Sequence, residues 1–240
     1  MRRALACACA AAALAAVAPA AAPAATVTTM VVGKERVLRS AGDVRLQQRR
    51  VKVGGRRCTV ARATPLAVLA SLRLSLKLRD YGACGRRVRD AGGLFVTRVG
   101  SERNRGRDGW VYKVGRRAGT GGAGDAAGPF GTGRRLRHGD RLLWFFCDMQ
   151  RSGGCQRTLE AVPDRTTAAA DETVRVTVRG YDDAGGGVVV PGATVRLGSA
   201  SAVTGADGVA SVPVTGAGRL ALVATAPGMV RAFPGEVRAG

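Results

Sequence analysis

Two apolar runs organise the chain. They are DGWVYKVGRR at 108 to 117 and, across a glycine-rich gap, HGDRLLWFFC at 138 to 147. Trp110, Tyr112 and Val114 alternate along the first, and Leu142, Trp144 and Phe146 along the second, so a period of two predicts two strands, each with a shared apolar face. Leu143 and Phe145 fall on the opposite face of the second run. A strand that is apolar on both faces has to be covered twice, by a helix on one side and by a loop, a further domain or a partner on the other. Six of the ten aromatic residues lie between Trp110 and Phe146, marking this region as a core or a ligand face.

Around these runs the pattern predicts further elements. Residues 26 to 36 and 44 to 53 read as strands rich in branched residues. Thr64 and Pro65 are placed to cap and start a short helix with an apolar stripe at Leu66, Val68, Leu69 and Leu72. Residues 74 to 84 fit either an extension of that helix or a strand, and 93 to 100 (GLFVTRVG) reads as a strand. Residues 161 to 171 are polar and read as a linker, after which short alternating segments with regular turns predict a small all-β sandwich over 172 to 240. Asp207 and Gly208 within it form a hairpin signal. The expected fold class is α+β, with one short helix in residues 25 to 160 followed by the sandwich.

The N-terminus changes the chemistry expected of the rest. Two arginines, an alanine-rich apolar run and Ala22, Pro23, Ala24 have the order of a secretory signal peptide, residues 1 to 24. Cys7 and Cys9 would leave with it, and no later run is long enough to span a bilayer. The expected location is therefore secreted or extracellular, including association with the cell wall. In an oxidising compartment the remaining four cysteines pair. Four cysteines admit three connectivities, and the local pairs Cys58 with Cys84 and Cys147 with Cys155 are favoured. The spacings do not suit a zinc site or a redox pair, and the chain has a single histidine.

The formal charge of +21 is concentrated before the sandwich, since residues 172 to 240 hold six arginines against five acids. Arginines cluster at 45 to 57, 86 to 89, 98 to 107 and 134 to 141. Such charge attracts polyanions, while the ordinary reading is solvated strand edges and turns. The clusters lack interleaved aromatics of the kind that single-strand binders expose, and no nucleic-acid motif is present, so no specific nucleic acid is expected.

The order TPLAVLASL, GLFVTRVG, GWVYKVG and HGDRLLWFF resembles the bacterial domain related to the C-terminal domain of transcobalamin and intrinsic factor, over residues 27 to 147. Trp110, Tyr112, Val114 and Gly115 match its aromatic strand and turn, and Gly139, Asp140, Leu142 and Trp144 match its Gly-Asp turn and apolar strand. The resemblance implies a β-grasp fold in an exported protein, with cobalamin as the implied ligand; the residues themselves call for no cofactor. The run PGATVRLG, TGADGVASV, GRLALVATAPGMVRA resembles carboxypeptidase-regulatory-like or bacterial immunoglobulin-like modules, which implies a spacing or presenting role.

Catalysis finds little support. His138 reads as a turn residue, Asp80, Asp90, Asp108, Asp125 and Asp148 show no defined pair, and no serine or cysteine sits in a nucleophile pattern. The glycine-rich stretch 116 to 135 lacks the context of a phosphate loop and reads as a surface loop pinned by Phe130. The chain is thus expected to be a non-catalytic binding or structural protein. Its alternatives are a cell-wall polyanion-associated protein, a binder of a corrinoid or other small molecule, and least of all an enzyme. The candidate ligand or partner face comprises Trp110, Tyr112, Phe130, Leu143, Trp144 and Phe145, and the candidate polyanion contacts are Arg116, Arg117, Arg134 and Arg135. Closure of the face by the chain's own loop or sandwich is the competing outcome.

Overall fold

A computed structural model describes residues 24–240. The expected signal peptide lies outside the described residues except for Ala24. The described residues begin with β1 (Thr26–Val32), β2 (Val37–Arg45), β3 (Arg49–Val53) and β4 (Arg56–Val60). Thr64 then opens α1 (Pro65–Leu69), accepting from the Ala67 N–H at 3.3 Å through Oγ1. The helix stops short of Leu72 because Ser71 donates its hydroxyl to the Ala67 carbonyl (2.8 Å) and Arg73 takes a left-handed φ of 55°. Next come β5 (Leu76–Asp80), a 3-10 turn (Val88–Gly93), β6 (Leu94–Val99), β7 (Glu102–Arg103), β8 (Gly109–Val114), β9 (Arg117–Ala118) and β10 (Arg141–Cys147). The ambiguous stretch 74 to 84 is therefore strand and turn, and the described residues are mostly β, with the one expected short helix reduced to five residues.

The principal sheet has the order β2-β1-β10-β8-β9, with β1 and β10 parallel at its centre and the other pairs antiparallel. Alternation puts Val27, Val31, Trp110, Tyr112, Leu142, Trp144 and Phe146 on one face, against α1 and the β3–β4 and β5–β6 hairpins. Directly paired residues stack there: Trp110 and Phe146 edge to face at 5.8 Å, Tyr112 and Trp144 tilted at 5.2 Å. Cys58–Cys84 ties β4 to the segment after β5, and Cys147–Cys155 closes the loop after β10.

The second half contains β11 (Thr158–Pro163), β12 (Thr167–Ala168), β13 (Thr173–Tyr181), β14 (Gly187–Val189), β15 (Thr194–Leu197), β16 (Ala200–Val203), β17 (Val209–Pro213), β18 (Gly218–Thr225) and β19 (Gly235–Ala239). They form two facing sheets. In one, β13 is flanked by β11 along one edge and by β17 and then β14 along the other; the second has the order β12-β19-β18-β15-β16. Val174, Val176, Val178, Val195, Leu197, Val212 and Leu222 are fully buried between them.

Two expectations fail here for the same reason, that sheet pairing is set by distant partners. Residues 161 to 171 are not a free linker: β11 pairs with β13 from Thr158↔Tyr181 to Pro163↔Val176, and β12 runs parallel to β19. The Asp207-Gly208 turn forms, with Val209 N–H donating to the Asp207 carboxylate, but it is no hairpin. It carries the chain from β16 in one sheet to β17 in the other.

This pairing moves the start of the sandwich to about residue 157. A fragment of 157 to 240 is expected to melt cooperatively. A fragment of 172 to 240, stripped of β11, β12 and the buried Leu159 and Ala168, should lose about 3 kcal/mol or more, which for so small a unit lowers the midpoint by over ~10 °C. Equal thermal midpoints for the two fragments would show that β11 and β12 are dispensable.

Candidate functional site

The second face of the principal sheet is not open. Met30, Val32, Leu143, Phe145 and Cys147 are buried with Val230, and Val37, Val111, Met149 and Phe233 pack around them. Val230 and Phe233 come from the segment between β18 and β19, so the sandwich itself supplies the cover. Leu143 and Phe145, and on the other face Trp110, Tyr112 and Trp144, are core residues rather than an exposed ligand face. Phe130 is half-buried, with the Arg117 guanidinium 5.6 Å from its ring.

At the centre of this contact stands Lys113, whose alternation on β8 places it beside Leu143 rather than with Tyr112. Its side chain is fully buried. Nζ donates to the main-chain oxygens of Tyr181 (2.9 Å) and Asp182 (2.8 Å) and to Oγ1 of Thr158 (3.2 Å), with the Asp183 carboxylate at 3.6 Å. Burial lowers the Lys113 pKa, and the Asp183 carboxylate opposes that shift. A lysine among the apolar residues of β8 is the one sign of this plug in the sequence, and it does not reveal the partners.

Next to it lies a cleft between the principal sheet and the sandwich. It holds a hollow of about 540 Å³ lined from both sides, which shares Val114, Gly115, Arg117 and Arg141 with an adjoining hollow of about 570 Å³ lined by the first half alone. Arg116 crosses to the sandwich, where Nε and Nη2 both donate to one Glu160 oxygen (3.0 and 2.6 Å) and the guanidinium lies over Tyr181 at 4.5 Å. The hydrogen bond to Glu160 raises the Arg116 pKa. Arg141 sits 4.0 Å from the same carboxylate and 4.4 Å over the Phe233 ring; burial lowers its pKa, against the pull of Glu160. Tyr181 is raised by burial and then by Glu160.

The four arginines expected to meet a polyanion therefore divide. Arg116 is neutralised by Glu160, and Arg135 donates Nε to the Ala126 carbonyl, holding the loop. Arg134 is exposed and 3.8 Å from Asp140, and Arg117 is exposed with no carboxylate within ion-pair distance among the described residues. Arg141, not singled out from the sequence, joins them in the cleft. Tyr112 fixes the glycine-rich loop by donating to the Gly121 carbonyl at 2.7 Å, with Pro129 O at 3.2 Å. Burial, followed by the Asp125 charge, raises its pKa, so the phenol stays protonated as the donor. A Cβ at Gly119 would overlap the Tyr112 ring, which explains one glycine of that loop.

The isolated carboxylates have structural duties. Asp80 accepts from Gly82 and Cys84 N–H (both 3.0 Å), Asp108 from Met149 N–H (2.8 Å) and Asp125 from Ala127 N–H (2.8 Å). Asp90 faces Arg87 and Arg89, Asp148 pairs with Lys34, and the His138 ring lies 3.3 Å from Thr26 N in the turn before β10. No helix among the described residues is long and apolar enough to cross a membrane. The chain matches no protein-family model, no curated protein and no solved structure.

Proposed function

We propose that the chain is an exported, non-catalytic protein of the cell exterior that associates with an anionic polymer, such as a cell-wall polyanion, through the basic half of the molecule and its cleft. The observation that carries this reading is the division of charge. Residues 24 to 157 hold 29 lysines and arginines against 9 acids, whereas residues 158 to 240 hold 7 against 8. Exposed Arg117 and Arg134 line one hollow together with Arg141, and Arg117 and Arg141 also line the neighbouring hollow that the sandwich closes. A field this one-sided concentrates polyanions at that face. The two disulfides suit an oxidising compartment. The central parallel pair β1–β10 flanked by antiparallel β2 and β8, with α1 on one face, supports a β-grasp reading of the first half, and the neutral sandwich supports a presenting role for the second.

Retention of the mature chain on isolated cell envelopes and on polyphosphate resin tests this. Binding should weaken steeply with salt. Replacing Arg117 and Arg134 by alanine should reduce the slope of log affinity against log salt by about 0.7 to 0.9 for each phosphate that is no longer neutralised. Salt-independent retention, or a slope unmoved by both substitutions, would remove the polyanion reading; a coloured, saturable corrinoid complex would replace it with small-molecule binding.

A further inference from the structure

Away from the cleft, the small sheet β5-β6-β7 turns one face to solvent. On β5, Leu76 and Leu78 pack inward, leaving Lys77 and Arg79 outward. Arg79 is paired with Phe95 across the strands, Lys77 with Arg98, and Arg98 in turn with Arg103. Tyr81 follows directly after β5. Tyr81 and Phe95 are 64% and 44% exposed, the only aromatic residues among the described ones so open to water. Their rings meet edge to face at 6.0 Å, and the Arg79 guanidinium lies 4.7 Å from the Tyr81 centroid. The aromatics that the arginine clusters lack in sequence are thus supplied by the fold.

Beside the two rings opens a hollow of about 370 Å³ with Trp110, Tyr112 and Trp144 in its lining and glycines at its walls. The indole Nε1 of Trp144 is buried there without a hydrogen-bond acceptor. The nearby carboxylates are occupied. Asp80 is held by Gly82 and Cys84 N–H and by Arg56, Glu102 accepts from Lys34 N–H, and Asp125, behind Gly92, accepts from Ala127 N–H.

We propose that this outer face of β5-β6-β7 binds single-stranded nucleic acid without sequence preference, Tyr81 and Phe95 stacking on bases and Lys77, Arg79, Arg98 and Arg103 meeting the phosphates. Two open rings amid cations match a polymer that is both aromatic and anionic. A neutral glycan stacks on rings but makes no use of the four cations around them, and the carboxylates here already accept hydrogen bonds from the chain itself. An anionic polymer without bases leaves the rings unused. This goes beyond association with an exterior polyanion, because it assigns a second surface and a chemistry that charge alone does not select.

Fluorescence anisotropy of the mature chain with a labelled oligothymidylate of about twelve nucleotides, within the span of known single-strand sites, tests it. Duplex DNA, polyphosphate and a neutral oligosaccharide serve as comparisons. The oligothymidylate should bind more tightly than polyphosphate of equal charge. Tyr81→Ala and Phe95→Ala should each weaken it by roughly 5- to 150-fold at fixed salt, while polyphosphate affinity stays unchanged and Tyr81→Phe restores binding. Arg79→Glu should weaken it as well, and Arg196→Ala, on the neutral sandwich, should not. Oligothymidylate affinity unmoved by Tyr81→Ala and Phe95→Ala would overturn the proposal, as would preference for the oligosaccharide or equal affinity for polyphosphate. Loss of polyphosphate binding on Arg117 and Arg134 replacement alone would uphold the cleft independently of this face.

Discussion

Replacing Lys113 by alanine or methionine is expected to destabilise the protein by about 3 to 5 kcal/mol and to separate the melting of the two halves. Apolar replacement of a buried charge is harmless when both partners are removed together, but here two of the partners are the main-chain oxygens of Tyr181 and Asp182, which no side-chain substitution deletes. Without the ammonium, the Tyr181 oxygen is left to the Thr158 hydroxyl at 3.5 Å and the part-buried Asp182 oxygen to the Gly185 N–H at 3.2 Å, and Asp183 loses its cation. Denaturant unfolding followed by near-ultraviolet circular dichroism measures the loss; a change under ~1 kcal/mol would mean that Lys113 is a bystander.

The same lysine gives a pH dependence of definite sign. Burial depresses its folded pKa below the ordinary lysine value, so within the window between those two values the unfolded chain holds more protons than the folded one. Stability contributed by this site therefore rises with pH across that window, and below it the cost of burying the charge is present in full. Relative to Lys113→Met, the parent should gain stability as pH is raised from neutral toward the ordinary lysine value. A gap that narrows instead would contradict the assigned direction.

What the sequence disclosed and what it withheld separate along the range of the interaction. The two disulfides, joining cysteines 26 and 8 residues apart, were legible only as the favoured one of three pairings, whereas the alternation in 108 to 117 and 138 to 147 and the Thr64-Pro65 helix start are local, and each was readable from a few neighbouring residues. Lys113 was not, because its meaning depends on carbonyls nearly seventy residues away. The strand pieces within 161 to 171, the end of β11 and the two-residue β12, were hidden for a similar cause: polar composition suggested a linker, whereas β13 and β19 supply edges that an extended segment can pair with. The candidate site was legible only in part. Arg117 and Arg134 do face the cleft, but Arg116 is neutralised by Glu160 and Arg135 is tethered through Nε to the Ala126 carbonyl, partners that sequence does not reveal. Tyr81 and Phe95, fourteen residues apart, gave no hint that a register placing Phe95 opposite Arg79 would bring their rings together on one open face.

Phe145→Ala is expected to be as damaging as the loss of Lys113, at about 3 to 5 kcal/mol, and to leave polymer binding unaltered at temperatures where the protein remains folded. The ring is fully buried on the sandwich-facing side of β10, among Met30, Leu143, Cys147 and Val230, and lies 5.9 Å from the Lys113 ammonium. Truncation opens a cavity between a rigid sheet centre and a segment anchored by main-chain bonds from Leu159 and Val230, so collapse around it is limited. Phe130→Ala is the internal contrast. That ring is only half-buried on a loop already held by Tyr112, and its loss should cost under about 1.5 kcal/mol while weakening polyanion binding through the displaced Arg117. Chemical denaturation and polyphosphate affinity, measured on both variants, decide the matter. If Phe145→Ala proved mild and abolished binding, the buried face would have to open to a ligand in solution, and the sandwich would be a lid rather than a fixed cover.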